Sequence, residues 1–253
     1  MSDAFRSTAP ARVAGRHVGV GDPPRRLRAT NPEHMDARRA AIVAATARVI
    51  VANGVDSTRL ADVADEAGVS VGLIQHYFRT KDRLVLETFR TAAEDSREGW
   101  RRCVTEDDDP LARIAGLARF IVDDDDFGLA WGLWVEFYAA STRNRELRKH
   151  VHRIMNVWRT LFSECIADGI ARGVLQANGD VDDAVTRIVA LTDGLAIQTL
   201  LGLYEMTTGL MESMILDAIA DLFGVDRAAL AAVSGSVNRR PAVTSIDSAQ
   251  GNH

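Results

Sequence analysis

The stretch "GVDSTRLADVADEAGVSVGLIQHYFRTKDRLVLETF", Gly54 to Phe89, decides the fold. A short helix is expected around Thr58 to Glu66. Gly68 marks a tight turn, and Ser70 can cap a second short helix running to Tyr77. A longer helix starts near Lys81 and reaches about Cys103. Upstream, Asn31-Pro32 or Asp36 opens a helix through "RRAAIVAATARVIVAN", with Ile42, Ala45, Val49 and Ala52 on one face and Gly54 at its end. Three consecutive helices, the second and third short and joined through glycine, make a helix-turn-helix pattern. Val63, Ala67, Val69, Ile74 and Phe78 have the spacing to point inward against the first helix. That leaves Val71, Gly72, Gln75 and His76 on other faces, free to meet a nucleic-acid groove. Gly72 lets a phosphate or base edge come close to the backbone, and Ser70 stands at a helix N-terminus, which favours an anion.

These residues resemble the DNA-binding signature of the tetracycline-repressor (TetR) family of bacterial transcriptional regulators. The resemblance covers Asp36 to Phe89: Gly54 after the first helix, "DVA" then "AGVS" through the turn, Gly72, "HYF" closing the third helix, and Lys81 heading the fourth. It implies that Ser70, Gly72, His76, Tyr77 and Lys81 contact DNA, most of them at phosphates, and that Ile74 and Phe78 are core. Two positions depart from the family pattern. Gln75 stands where Tyr is common. Thr58 lies one position ahead of the Thr that usually begins the second helix, so a phosphate contact there could fall to Thr58, Arg59 or Leu60. In isolation Tyr77 would read as a core aromatic, His76 as a surface histidine and Lys81 as a solvated lysine. In the combined pattern all three read as DNA contacts.

The whole chain has 253 residues and 47% apolar content, enough for a packed core. Outside the termini the pattern is helical throughout, with nine or ten helices, no strand run and no internal repeat, so the expected class is all-α. Asp109 with Pro110, Gly173 and Asp180 supply clear boundaries. Four regions are expected: a disordered basic arm at 1–33, the helix-turn-helix module at 34–89, a ligand-binding and dimerisation domain at 90–226, and a disordered tail at 227–253. Within the arm, "RRLR" at Arg25 to Arg28 could enter a minor groove or simply aid solubility. Net charge is −5, unevenly spread: residues 1–83 carry 13 Lys and Arg against 9 Asp and Glu, the remainder 17 against 26. A basic module on an acidic body fits a polyanion for one and another partner for the other.

Cys103 and Cys165 are far apart and show no metal-ligand spacing, so neither a disulfide nor a metal site is expected, and no cofactor is implied. The apolar run "FGLAWGLWVEFYAA" is interrupted by Glu136 and is shorter than the roughly 20 residues of a membrane span. No signal-peptide pattern stands out, and a cytoplasmic location without membrane contact is expected.

The four tryptophans all follow Phe89. The resemblance implies a small-molecule pocket in these later helices, with Trp100, Trp131, Trp134, Phe137, Trp158 and Phe162 as candidate lining and Asp193 or Gln198 as candidate polar contacts. The effector would be small and apolar or amphipathic. Leu195, Ile197 and Leu201 on one late helix, and Met214, Ala218 and Leu222 on the next, form stripes for a homodimer interface, although either stripe could face the chain's own core. The expected function is a dimeric repressor released from double-stranded operator DNA by its ligand. An all-α enzyme is the weaker alternative: "DDDD" at Asp123 to Asp126 reads as a solvated loop, His150 and His152 cannot share a helical face, and no nucleophile elbow or phosphate loop appears. An architectural DNA-binding protein would have little use for a large acidic body.

Overall fold

Local signals start and stop nearly every helix. The computed structural model describes residues 32–103, 109–122 and 127–234. Among them are ten α-helices and one 3₁₀ turn, with no strand. They are α1 (Pro32–Asn53), α2 (Leu60–Ala67), α3 (Val71–Phe78), α4 (Lys81–Cys103), α5 (Pro110–Ile121), α6 (Phe127–Arg143), α7 (Arg145–Ala171), α8 (Val181–Leu201), α9 (Thr208–Phe223) and α10 (Arg227–Ser234). The 3₁₀ turn, Leu203–Glu205, joins α8 to α9. The Asn144 carboxamide oxygen accepts from the Leu147 amide at 3.2 Å, and the Asp180 carboxylate accepts from Asp183 N at 3.1 Å, each capping its helix.

Three apolar clusters follow one another along the molecule. The first joins α1 to α3, with Ile42, Val49, Val63, Ile74 and Phe78 buried, so the inward set read from spacing is in place. Ala52, read as part of the inward face, is exposed, one residue from the end of α1. The second cluster couples module to body: Ile50 of α1, Val85 and Phe89 of α4, Leu133 and Phe137 of α6, and Leu147 of α7. The third fills the body between α5, α7, α8, α9 and α10.

Three sequence expectations change here. In place of a tail from 227, the first eight residues of that segment form α10, with Leu230 fully buried and the Ser234 hydroxyl donating to Glu212. The last two residues given to the arm, Pro32 and Glu33, open α1 instead, while its residues 1–31 with Arg25 to Arg28, the tail from 235, and Asp123 to Asp126 lie outside the described residues. α8 is also long and apolar enough to cross a membrane by length and composition. Its Val185, Ile188, Thr192, Leu195 and Ala196 are instead buried against the other body helices.

Candidate DNA-binding and ligand sites

The turn between α2 and α3 is closed by glycine. Gly68 takes φ +63°, and the next amide, Val69 N–H, reaches back to the Ala64 carbonyl at 2.9 Å, satisfying an acceptor that the end of α2 leaves free. Ser70 then caps α3, its Oγ accepting from Leu73 N at 3.2 Å. The hydroxyl proton stays available for a phosphate. Ile74 and Phe78 are buried, while Gly72, Gln75 and His76 are exposed and Val71 and Tyr77 are half-buried. The Tyr77 ring meets the His76 ring edge-on at 5.6 Å, which steadies both at the surface.

Thr58 does not belong to this face. It is 2% exposed, and its Oγ donates to the Gly54 carbonyl at 2.8 Å. The helix begins two residues later, with Arg59 as its exposed N-cap; the Arg59 amide donates to the Asp62 carboxylate at 3.3 Å. Of the three alternatives at the start of α2, Arg59 alone offers a free cation to solvent, and Thr58 is structural. Lys81 also holds the module together, because its Nζ donates to the Asp56 carbonyl at 2.9 Å and ties the head of α4 to the α1–α2 turn. Arg79, exposed at φ +65° just past α3, is a further cation on this side that helical spacing does not single out.

In the body, one face of α6 opens on a cavity of about 810 Å³, part of it continuous with solvent. Phe127, Trp131, Trp134 and Tyr138 line it from α6, Phe120 and Ile121 from α5, Met155, Trp158 and Phe162 from α7, and Val189, Thr192 and Asp193 from α8. Trp131 is held as wall rather than floor, its indole N–H donating to the Ile121 carbonyl at 3.0 Å. Phe120 stacks on Trp158 with ring centroids 6.1 Å apart.

Trp131, Trp134, Trp158, Phe162 and Asp193 therefore meet, as the sequence suggests. Three other candidates do not. Phe137 lies on the opposite face of α6, fully buried and stacked on Phe89 at 3.9 Å. Trp100 is buried in the body core, its indole N–H meeting no acceptor among the described residues. Gln198 is a turn too far along α8 to reach the lining. Tyr138, Phe127 and Phe120 escape the sequence reading, although Phe127, Trp131, Trp134 and Tyr138 follow the 4, 3, 4 spacing of one helical face.

The polar groups of this cavity are few and unusual. Burial pushes the Asp193 carboxyl up to about 6, against the influence of the Tyr138 hydroxyl 3.5 Å away, which lowers it. The same burial, with Asp193 beside it, raises the Tyr138 phenol above its ordinary range. Tyr138 also donates to the Met155 sulfur at 3.0 Å. Thr192 Oγ1 is buried with no partner among the described residues. No cation accompanies Asp193 in the lining. A half-buried acid and a buried, unpartnered hydroxyl among seven aromatic side chains leave polar capacity that a bound molecule can complete.

Comparison with known proteins agrees with both halves. Residues 42–88 match the N-terminal model of the bacterial regulatory proteins of the tetR family, and residues 110–224 match that of the BetI-type transcriptional repressor C-terminal domain. The HTH-type transcriptional regulator BetI of Burkholderia thailandensis is 32% identical over 62% of this chain and 79% of its own length. The BetI of Agrobacterium fabrum is 32% identical over 53% of this chain and 68% of its own.

The chain belongs to the TetR family.

It is a DNA-binding transcriptional repressor of the BetI type, in a family of soluble regulators rather than enzymes. Among solved structures, a regulator from Saccharomonospora viridis in complex with choline is 25% identical, with a TM-score of 0.69 over 74% of this chain and 98% of that one.

Two further features of this TetR-family chain bear on how its halves communicate. The face of α6 turned away from the cavity rests on the DNA module. Gly132 passes so close to Val51 of α1 that a Cβ would lie 3.0 Å from a valine methyl. One turn on, Glu136 Oε2 accepts from Val55 N at 3.2 Å in the α1–α2 turn, and Arg143 pairs with Asp56 at 2.7 Å. Glu136 has a sequence signal, being the one charge inside the longest apolar run.

The late helices expose apolar surface. Ile197, Leu201, Leu203, Tyr204 and Leu210 are open, Leu201 at 66% and Tyr204 at 82%. Leu195 is excluded from that surface, because at 3% exposure it belongs to the body core. Met214 and Leu222 are half-buried against the same core, and Ala218 is half-exposed.

Proposed function

We propose that this repressor acts as a cytoplasmic homodimer that leaves its operator when a small organic cation, of the quaternary ammonium class, enters the aromatic cavity. The carrying observation is Asp193, a carboxylate with no cation of its own among seven rings. Aromatic faces attract a diffuse cation at about 0.5–2 kcal/mol per good contact, and a buried acid supplies the countercharge. A hydroxyl on the ligand would pair with Thr192. The choline complex of the Saccharomonospora viridis regulator supports this class.

The dimer forms through the open faces of α8 and α9, with Ile197, Leu201, Leu210, Met214 and Ala218 at the contact. Two recognition helices then address half-sites roughly 34 to 36 Å apart on a pseudo-palindromic operator. Ser70, Gly72, His76, Tyr77, Lys81 and Arg59 engage phosphates, and Gln75 with Val71 faces the bases. Release follows from α6: a ligand that displaces its aromatic face moves Gly132, Glu136 and Arg143 on the other, and with them the α1–α2 turn and Lys81. The ligand must bind the released form more tightly, since equal affinity would shift nothing.

The test is a genome-wide binding-site selection with purified protein, followed by titration of the recovered complex with choline. A palindrome whose complex dissociates on choline addition is the expected result. Binding without sequence preference would remove the operator, and a complex indifferent to choline would remove this effector class.

A further inference from the structure

The body has a second opening, with the opposite charge. Where α4 passes α7 over Phe137, a groove of about 830 Å³ remains, partly open to solvent. Its floor is apolar: Leu86 and Phe89 of α4, Phe137 of α6, and Ile154 of α7. Trp158 lines both this groove and the aromatic cavity, so one ring separates them.

Arg90, Arg97 and Arg153 rim the groove, with Glu94 as its one acid. Arg90 is already engaged, with Glu87 at 2.8 Å and Glu94 at 4.0 Å. Among the described residues no carboxylate forms an ion pair with Arg97 or Arg153. Arg153 turns instead onto a histidine, its Nη2 lying 2.7 Å from His150 Nδ1. That contact needs a neutral imidazole, and burial, then the Arg153 charge, hold His150 below its ordinary value. Residues 84–253 hold 26 Asp and Glu against 17 Lys and Arg, so acids to satisfy two arginines are plentiful. Both guanidiniums nevertheless border the groove unpaired, its one acid, Glu94, lying 4.0 Å from Arg90.

We propose that the groove between α4 and α7 binds an amphipathic anion, an alkyl carboxylate whose chain lies along Leu86 and Ile154 and whose head is held by Arg97 and Arg153. The planar guanidinium fork matches a carboxylate in shape and charge, and the floor supplies apolar contact for the chain. This site is independent of the cation cavity and selects the opposite charge. Because α4 follows the recognition helix directly, an occupant that parts α4 from α7 acts on the DNA module by a route other than α6.

Calorimetric titration of the full chain with decanoate tests this. Saturable binding of one decanoate per chain is expected. It should weaken at least about tenfold when Arg97→Gln and Arg153→Gln are combined, the loss of one charge-assisted contact or more. Val157→Glu, at an exposed position on the rim, should weaken it comparably without touching the core. Saturating choline should not displace decanoate, since the two occupy separate openings. Absence of decanoate binding, undiminished binding in both variants, or displacement by choline would each overturn the proposal. So would dissociation of the double variant into monomers on size-exclusion chromatography, which would make the groove a subunit contact.

Discussion

The recognition helix and α6 handle polar groups in opposite ways. α3 sinks Ile74 and Phe78 into the module and leaves Gln75 and His76 in water, where a hydrated polyanion can collect them. α6 keeps its rings half-open toward a cavity in which the Thr192 hydroxyl is buried and Asp193 half-buried. A surface for DNA can keep its polar atoms solvated until contact, because the partner is itself wet and highly charged. A surface for one small molecule holds its few polar atoms dry, so that only a ligand of the right charge relieves them.

The sharpest break of that contrast lies on α6 itself, between neighbouring aromatics three residues apart. Phe137→Ala removes a fully buried ring stacked on Phe89 and should cost about 3–5 kcal/mol of stability, read by denaturant unfolding. Trp134→Ala, on the cavity side, should leave stability much closer to wild type while weakening choline binding by about 2 kcal/mol. Equal losses of stability would erase the distinction between the two faces.

On the DNA side, Gln75→Ala should lose about 1–3 kcal/mol at a single operator base pair, because Gln pairs bidentately with adenine where the family's common Tyr cannot. A loss spread evenly over all sequences in a competition assay would make Gln75 a backbone contact instead.

The pH response sharpens the cavity side. The folded Asp193 carboxyl lies near 6, above an unfolded Asp, so the folded state holds its proton more tightly. Its contribution to stability therefore falls as pH rises from the unfolded value through about 6 and is level above that. Cation affinity runs the other way, since the ligand needs the ionised acid. Choline should bind about tenfold more weakly at pH 5 than at pH 7.5, and Asp193→Asn should flatten the profile. A profile unchanged in that variant would assign the proton elsewhere.

The smallest expected effect separates the two residues at the start of α2. Arg59→Ala should lower the salt dependence of operator binding by about one counterion per subunit. Thr58→Val should leave that slope alone and cost about 1 kcal/mol of stability through its lost hydrogen bond to Gly54.

What can be read from the sequence divides along the same line. Capping groups and turn glycines are local chemistry, so Gly68, Ser70, Asn144 and Asp180 mark their elements with little help from the rest of the chain. Phe137 and Trp100, offered as lining for the pocket that the resemblance implies, are core instead, because apolar aromatics look alike until a neighbour is known; Phe89 and the body core decide them. α10 reads as tail because "RAALAAVS" runs straight on into small, polar sequence, and its order comes from Leu230 and Ser234 docking onto the body. Thr58 shows the finest limit, where a two-residue offset in a helix start turns a contact into a strut.

Gly132 has a consequence for how such a regulator diversifies. Trp134 and Tyr138 are half-buried and border open space, so exchanges there can fit new molecules with less disturbance of the core. Position 132 lacks that freedom, because any side chain there must push Val51 aside. One helix thus carries a variable edge for chemistry and a fixed edge for signalling, and a lineage can change what it senses while inheriting the means of reporting it.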